Sequence, residues 1–363
     1  KTLAAIVTGS ASMLAEAAHS WADTGNEVFL LIGTGLYFSV RTRFVQVRCF
    51  GEGLRSVFGE FNMRGGRQKG GLSSFQALTT AIAAQVGTGN IVGVATALAI
   101  GGPGALFWMW CTALVGMATK YSEVLLAVHY REKDKNGEYI GGPMFAIKNG
   151  LGKRWVWLGT AFAIFGGLAG FGIGNMVQVN SMAQALDSTL HIPTWITGVI
   201  TTIIVAMVTL GGVKRIGKVA EALVPFMCVA YIIAGVVVLV VNAAVIPDAV
   251  ALIFSSAFNP VAATGGFAGS VVMMSIRYGV ARGVFSNEAG LGTAGIAQAA
   301  GTTKSAVRSG LIGMLGTFID TLIVCSVTGL AIVSSGVWSN GQSGAALSAA
   351  AFESRSEERR VGK

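Results

Sequence analysis

Long apolar segments alternate with short polar segments through most of the 363-residue chain. Many of them approach or exceed the roughly 20 residues that a helix needs to cross a bilayer. We therefore expect an all-α integral membrane protein. The predicted spans, with ends uncertain by a few residues, are 27–40, 74–99, 105–128, 155–178, 194–212, 219–243, 265–283 and 305–335, and a further apolar stretch covers 2–18.

The segment 74–116 contains the most informative irregularity, because Gly87-Thr88-Gly89-Asn90 interrupts an apolar run of membrane-spanning length. Each glycine lowers helix propensity by about 1 kcal/mol relative to alanine. Backbone groups that are released there must find partners away from lipid. Secondary transporters use such discontinuous helices to bind substrates and ions near the bilayer midplane. A second glycine cluster at 264–270 predicts a matching break in the span 265–283, although tight helix packing explains that cluster equally well.

Composition supports the membrane assignment. The chain is 53% hydrophobic and 12% charged, whereas soluble domains carry roughly 25% charged residues. The net charge of +9 indicates basic cytoplasmic loops rather than a nucleic-acid partner. The four cysteines are scattered singly, which argues against a disulfide or metal framework.

Basic residues fall on alternate connections. Segments 41–73, 129–153 and 211–218 carry seven, five and three Lys or Arg residues, whereas 100–104, 179–193 and 244–264 carry none. The positive-inside rule then places 41–73, 129–153, 211–218 and 284–304 in the cytoplasm. We expect a multi-pass protein of a bacterial-type inner membrane.

This orientation makes the span 265–283 run opposite to the span 74–99, with five spans separating their starting points. An inverted five-helix repeat requires that relation. The second repeat would need three more spans after 305–335, and the sequence predicts that they are missing.

Several motifs resemble the sodium:alanine (alanine or glycine:cation) symporter family. They are GTGNIVGVATA at 87–97, GGPGALFWMWCTALVG at 101–116, ATKYSEVLLAVHYR at 118–131, GGPMFAIKNGLG at 141–152, RGVFSNEAGLGTAGIAQAA at 282–300 and FIDTLIVCSVTGL at 318–330. The resemblance covers about residues 31–335. It implies Na⁺-coupled uptake of alanine, glycine and similar small amino acids, on a LeuT-like scaffold with broken first and sixth core helices.

Both ends depart from that pattern, so the predicted units are 1–30, 31–350 and 351–363. Residues 1–30 resemble a fragment of a cation diffusion facilitator, in which His19 and Asp23 would form a zinc pair. A working zinc site is not expected, because zinc needs about four ligands. The charged residues 353–363 resemble translated sequence that is foreign to the protein.

A small zwitterionic substrate needs donors for its carboxylate and acceptors for its ammonium group. Backbone amides at a half-helix N-terminus suit the carboxylate, and Gln85 could accept from the ammonium group. Other candidates would shape or close the pocket, with interhelical packing as the alternative explanation. The predicted substrate residues are Gln85, Thr88, Gly89, Asn90, Phe165, Asn175, Gln178, Gly269, Met273 and Met274.

Na⁺ should prefer oxygen ligands, by analogy with other hard cations. Asp320 is an ionisable residue deep within an apolar span, which makes it a functional candidate. The predicted sodium ligands are Gly87, Thr88, Asn90, Ser270 and Asp320. No further cofactor is expected.

Three functions remain open at this stage. The first is a Na⁺-coupled symporter of small neutral amino acids. A truncated or chimeric fragment without activity is the second, and a divalent-cation transporter through His19 and Asp23 is the third. An enzyme is not expected, because the sequence contains neither a Walker A motif nor a nucleophile elbow.

Overall fold

The computed structural model describes residues 31–58, 74–170, 175–259, 268–301, 303 and 305–361. His19, Asp23 and the rest of the segment 1–30 lie outside these residues, so the predicted zinc pair has no structural counterpart to examine. Within the described ranges the chain is predominantly helical, as the apolar pattern predicts.

The helices are numbered here in chain order. They are α1 (31–41), α2 (Val45–Arg48), α3 (Phe50–Phe58), α4 (Ser74–Gln85), α5 (Gly89–Gly101), α6 (Gly104–His129), α7 (Pro143–Gly150), α8 (Val156–Ala169), α9 (Asn175–Leu190), α10 (Thr194–Thr209), α11 (Gly212–Val241), α12 (Ile246–Phe258), α13 (Ala268–Asn287), α14 (Thr293–Ala299), α15 (Ala306–Ser334) and α16 (Gly344–Val361). A two-stranded antiparallel hairpin, β1 (Glu132–Lys133) and β2 (Tyr139–Ile140), lies between α6 and α7.

Among the described residues, three helices are long and apolar enough to cross a membrane: α6, the Lys214–Val241 part of α11, and α15. The predicted spans 74–99 and 155–178 each contain parts of two helices, whereas 194–212 and 265–283 each correspond to one helix, α10 and α13. Many apolar side chains of α10 and α11 point away from the protein, such as Ile203 (54% exposed) and Phe226 (71% exposed). An apolar surface of this kind suits contact with lipid.

Helix α12 corrects the sequence prediction, which treated 244–264 as a connection between spans. Its first turn contains Pro247, a position that tolerates proline because the missing N–H would be unpaired there. Its apolar face packs on α6, where the rings of Phe107 and Phe254 lie 5.3 Å apart. The segment was too short to resemble a span, although it is apolar enough to be buried on one side.

Helix α6 lies at the centre and packs against α12, α13, α14 and α15. Close approach depends on glycines that face it. A Cβ atom on Gly279 of α13 would lie 2.5 Å from the Ala105 carbonyl oxygen, and one on Gly313 of α15 would lie 2.7 Å from Val124 Cγ2. Small residues at such positions let helices pack closely within a membrane.

The predicted first break is present, since α4 ends at Gln85 and the helix resumes at Gly89 in π-helical form. The sequence did not predict a second π-helical segment, Phe318–Cys325, inside α15. Of the predicted break at 264–270, residues 268–270 are helical, because α13 runs without interruption from Ala268 to Asn287. The remainder of that cluster, 264–267, lies outside the described residues.

The chain leaves the helical conformation after the C-terminal end of α13, at residues 288–292. Glu288 has a φ of 53°, and Gly290 and Gly292 have φ values of 90° and 84°. These left-handed conformations favour glycine, and they turn the chain into α14. At the other end of the chain, α16 crosses the predicted boundary between 350 and 351 without interruption.

Candidate functional site

Asn90 lies at the start of α5, immediately after the break, and its side chain is completely buried. Its Oδ1 accepts a hydrogen bond from the Gly87 amide at 2.8 Å, so the side chain reaches back across the break. Its Nδ2 points the other way, towards α13 and α15. Asn90 therefore connects the break to two further helices.

Asp320 meets Asn90 from the π-helical segment of α15, and it too is completely buried. Asn90 Nδ2 donates to Asp320 Oδ1 and, at 3.2 Å, to the Asp320 carbonyl oxygen. Ser286 at the end of α13 and the adjacent Thr321 donate to Asp320 Oδ2 at 2.9 and 2.8 Å. Three separate helices thus converge on one carboxylate.

The directions of these hydrogen bonds are mutually consistent. Asn90 Nδ2 donates to Ser286 Oγ at 3.0 Å, and Ser286 in turn donates to Asp320. Asn287 Nδ2 donates to Thr321 Oγ1 at 3.2 Å, and Thr321 in turn donates to Asp320. The Asp320 carboxylate thus accepts from three side chains, those of Asn90, Ser286 and Thr321.

Thr88 supplies two donors on the other side of the break. Its amide and its hydroxyl both point at Gln178 Oε1 on α9, at 3.0 and 2.6 Å. Gln178 Oε1 thus accepts from two donors that could instead donate to a carboxylate oxygen. Gly89 lies directly against α13, since a Cβ on Gly89 would be in van der Waals contact with Ser286 Cα at 3.4 Å.

Gln85 is only 3% exposed, and its Oε1 has no hydrogen-bond partner among the described residues. This oxygen lies against α15, where a Cβ on Gly316 would be 2.7 Å away. The hydroxyl of the neighbouring Thr317 is likewise buried without a partner in that part of the chain. Buried acceptors without partners are unfavourable by about 1–3 kcal/mol each, so a cationic ligand would find ready acceptors here.

Other predicted residues lie elsewhere. Phe165 is 69% exposed on α8 and Asn175 is exposed at the start of α9, so the structure does not bring either to the break. An apolar helix gives no sequence signal for which aromatic side chain faces inward.

The residues predicted at the start of α13 are also distant from Asn90. Met274 lies beside Gly101 at the far end of α5, where a Cβ on Gly101 would be 3.2 Å from the Met274 carbonyl oxygen. At 1.5 Å per residue, that end is about 18 Å along the helix from Gly89. Met273 is adjacent, and Gly269 and Ser270 precede it by about one turn or less. The physical reason is that α13 is continuous, which puts Ser270 about 24 Å from Ser286 along its axis.

Sequence reasoning missed Ser286 and Thr321 as site residues. Hydroxyl side chains are common in helices, where they often bond their own backbone, so they carry little signal alone. Thr321 does follow Asp320, which the sequence singled out, whereas Ser286 has no such neighbour.

Lys120 is completely buried near the turn that follows α13. Its Nζ donates to the Glu288 carbonyl oxygen at 2.8 Å. Burial raises the pKa of the Glu288 carboxyl, while a hydrogen bond from Thr293 opposes that rise. Glu123 accepts from the Gly290 and Gly295 amides at 3.0 and 3.3 Å. These contacts tie α6 to the turn and to α14.

A cavity of about 450 Å³ extends from Thr88 between α5, α9 and α13. Its walls follow helical repeats, with Thr88, Val92 and Thr96 on one side and Val177, Ser181, Gln184 and Ser188 on another. Arg282 and Phe285 of α13 complete the lining, together with 343–346.

The chain is similar in sequence to known transport proteins. The model of the sodium:alanine symporter family matches residues 10–359. A Haemophilus influenzae protein described as an uncharacterized transporter is 52% identical over 90% of this chain and 70% of its own length. The sodium/alanine symporter AgcS of Methanococcus maripaludis is 48% identical over 89% of this chain and 72% of its own length. The probable sodium/glutamine symporter GlnT of Bacillus subtilis is 40% identical over 90% of this chain and 66% of its own length.

These matches also bear on the predicted ends. The family match begins at residue 10 and ends at residue 359, so it includes most of the segment 1–30 and part of 353–363. The comparison therefore does not support a cation-diffusion-facilitator origin for the first segment or a foreign origin for the tail. Because the relatives are transporters, it does support the expectation that the chain is not an enzyme.

Proposed function

Since the chain belongs to the sodium:alanine symporter family, we propose that it couples Na⁺ entry to uptake of alanine and similar small neutral amino acids. Transport would proceed by alternating access around the broken helix α4–α5. The observation that carries this proposal is the convergence of oxygen atoms from two helices, α13 and α15, on Asn90, beside the break.

The proposed sodium site lies between Asn90 and Asp320. The Asn90 amide nitrogen now occupies the point where Ser286 Oγ, Asp320 Oδ1 and the Asp320 carbonyl oxygen converge. Hard cations prefer such oxygen ligands. By turning about χ2, the Asn90 amide would present Oδ1 to the ion and release the Gly87 amide. Thr88 and the Gly87 carbonyl, which the sequence also named, lie close enough along the chain to complete the shell.

The proposed substrate carboxylate takes the place of Gln178 Oε1 on the Thr88 amide and hydroxyl. These donors lie at the start of α5, where the helix dipole favours negative charge. Gln178 would then act as an internal stand-in that leaves when the substrate arrives. A charged oxygen should displace a neutral one because charge-assisted hydrogen bonds are roughly twice as strong.

The proposed partner of the substrate ammonium group is Gln85. Its buried Oε1 has no partner among the described residues, and Gln85 ends the half-helix α4. The negative end of a helix dipole lies at its C-terminus, so it favours a cation there. The carboxylate would thus face the positive N-terminal end of α5, and the ammonium group would face the negative C-terminal end of α4.

The LeuT-like inverted repeat and the membrane orientation belong to the same proposal. In it, segments 41–73, 129–153 and 211–218 lie in the cytoplasm, as their basic residues indicate. The sequence also placed 284–304 there, but Ser286 and Asn287 at its start are buried beside Asp320 and Thr321 of α15, so only the later part of that segment keeps this assignment. The cavity above Thr88 would then open towards the outside.

Uptake of radiolabelled alanine into proteoliposomes, with and without a Na⁺ gradient, tests the proposal. The unaltered chain should show Na⁺-dependent uptake, and Asn90→Ala should abolish it. Asn242→Ala provides a matched control, because Asn242 is also a buried asparagine but bonds Val238 at the end of α11. Uptake that ignores Na⁺, or that survives Asn90→Ala, would contradict the proposed site. Glycine, serine and glutamine as competitors would define the range of substrates.

A further inference from the structure

The cavity beside Thr88 is lined by a positively charged side chain that has no part in the proposed transport site. Arg282 lines it, and among the described lining residues no other side chain is charged. Its guanidinium carbon lies 5.6 Å from the centre of the Phe285 ring, and it forms no hydrogen bond or ion pair with another described residue. A guanidinium group has five N–H donors, so this one has substantial unused capacity.

The surroundings of Arg282 suit a polar organic ligand rather than a bare ion. The hydroxyls of Thr96 and Ser188 and the amide of Gln184 line the same space. About 450 Å³ falls within the usual range of small-molecule sites. Val92 and Phe285 supply apolar walls. The cavity thus combines one planar cation with neutral polar and apolar surfaces.

We propose that this cavity is a carboxylate-binding site centred on Arg282, distinct from the donors of Thr88, and that it takes small amino acids by their carboxylate group. Arginine matches a carboxylate with two parallel N–H···O bonds. Because the same space reaches Thr88, an amino acid held at Arg282 stands next to the transport site. This role in transport rests on the proposed function, whereas carboxylate binding itself does not.

The opposite charges of Arg282 and Asp320 explain why the proposed carboxylate site would not bind the sodium ion. Na⁺ is repelled by Arg282 and attracted by Asp320, which lies behind Asn90 on the other side of α5 from the cavity lining. A zwitterion can present its carboxylate to Arg282 and keep its ammonium group towards the hydroxyls. The cavity would therefore concentrate the substrate without trapping the coupling ion.

Arginine-selective labelling tests binding without relying on transport. The purified full-length chain would be treated with phenylglyoxal, and modification of the Arg282 peptide would be followed by mass spectrometry. Propionate and alanine should slow the labelling of Arg282, whereas alaninamide, which lacks a carboxylate, should not. Exposed Arg154 serves as an internal reference that none of the three should protect. Equal labelling with and without propionate, or equal protection by alaninamide, would overturn the proposal.

Transport kinetics test the role of the cavity. Arg282→Gln should raise the half-saturating alanine concentration by roughly 10- to 100-fold, the usual effect of losing a hydrogen bond to a charged group, with little change in maximal uptake. Arg282→Lys should restore part of the affinity, because it keeps the charge but loses the paired geometry. A fall in maximal uptake alone, equal for both variants, would contradict a positioning role. If propionate protects Arg282 but the unaltered chain shows no Na⁺-dependent uptake, the proposed function fails and the carboxylate site stands.

Discussion

Replacement of Asp320 by asparagine isolates the charge of the proposed sodium site from its shape. Asparagine has nearly the same size, and its Oδ1 can still accept from Asn90, Ser286 or Thr321, which now donate to the carboxylate. The fold should therefore survive. What disappears is the negative charge, and among the described residues that bond within this cluster Asp320 is the one that carries a charge.

The size of the effect follows from Coulomb's law. Two unit charges 4 Å apart interact by about 4 kcal/mol at an effective dielectric constant of 20. A dipolar amide oxygen keeps part of that attraction, so a net loss of about 3–4 kcal/mol is expected. Each 1.4 kcal/mol changes an equilibrium constant tenfold. Asp320→Asn should therefore weaken sodium binding by about 100- to 1,000-fold.

Two measurements check this expectation. The sodium concentration that gives half-maximal alanine uptake should rise beyond the practical range in proteoliposomes that contain Asp320→Asn. Sodium should also lose its ability to raise the thermal unfolding temperature, because a ligand at 100 times its Kd contributes about 2.7 kcal/mol of stability. Asp248→Asn on the exposed side of α12 makes the same chemical change outside the cluster and should alter neither result. A half-maximal sodium concentration within threefold of that of the unaltered chain would refute the assignment of Asp320.

Three further substitutions test the contacts around this site. Gln178→Glu should place a charged oxygen on the Thr88 donors and reduce apparent alanine affinity by at least tenfold in uptake assays, because the substrate must now displace a carboxylate. Lys120→Met should lower the free energy of unfolding by about 1–3 kcal/mol in thermal or chemical denaturation, since the Glu288 carbonyl would lose the donor that the buried Lys120 supplies. Gly279→Val should lower the same quantity by about 1–3 kcal/mol through overpacking against α6.

Matched variants separate these effects from general damage. Gln178→Ala removes the amide oxygen without adding charge, so it should leave alanine affinity equal or higher; a loss as large as that of Gln178→Glu would contradict the displacement idea. Gly198→Ala changes a glycine of α10 that has open space around it and should be neutral or slightly stabilising. If Lys120→Met unfolds with the same free energy as the unaltered chain, the hydrogen bond to Glu288 does not contribute to stability.

The sequence predicted those site residues that are unusual within an apolar membrane span. Glycines and an asparagine inside an apolar run predicted the break at Gly87, and an acidic residue inside another run predicted Asp320. Both break the expected pattern of a lipid-spanning helix. Gln178 was predicted as a substrate residue, with interhelical packing as the alternative, but Thr88 was not predicted as its partner, because a side chain's partner on another helix leaves no mark in its own sequence.

The errors have a common physical origin. A cluster of glycines does not reveal whether a helix is interrupted or merely packed closely. At 264–270 both explanations stayed open, and the predicted site residues followed from the interruption. That choice drew Ser270 and Met273 towards the site, whereas the continuous helix α13 delivers Ser286 from its opposite end. The π-helical form of Phe318–Cys325 was equally invisible, because its residues are as apolar as those of an ordinary helix.

The π-helical segment changes the rotation of the second half of α15 about the helix axis. One extra residue in a helical turn rotates everything beyond it by about 100° relative to an uninterrupted α-helix. Most residues after Cys325 are buried, among them Thr328 and Ile332, so this offset determines which neighbouring helix each of them contacts. Asp320 lies within the π-helical segment, at the middle of α15. If sodium binding at the proposed site removed the extra residue from the turn, the second half of α15 would rotate relative to the first and exchange its packing partners.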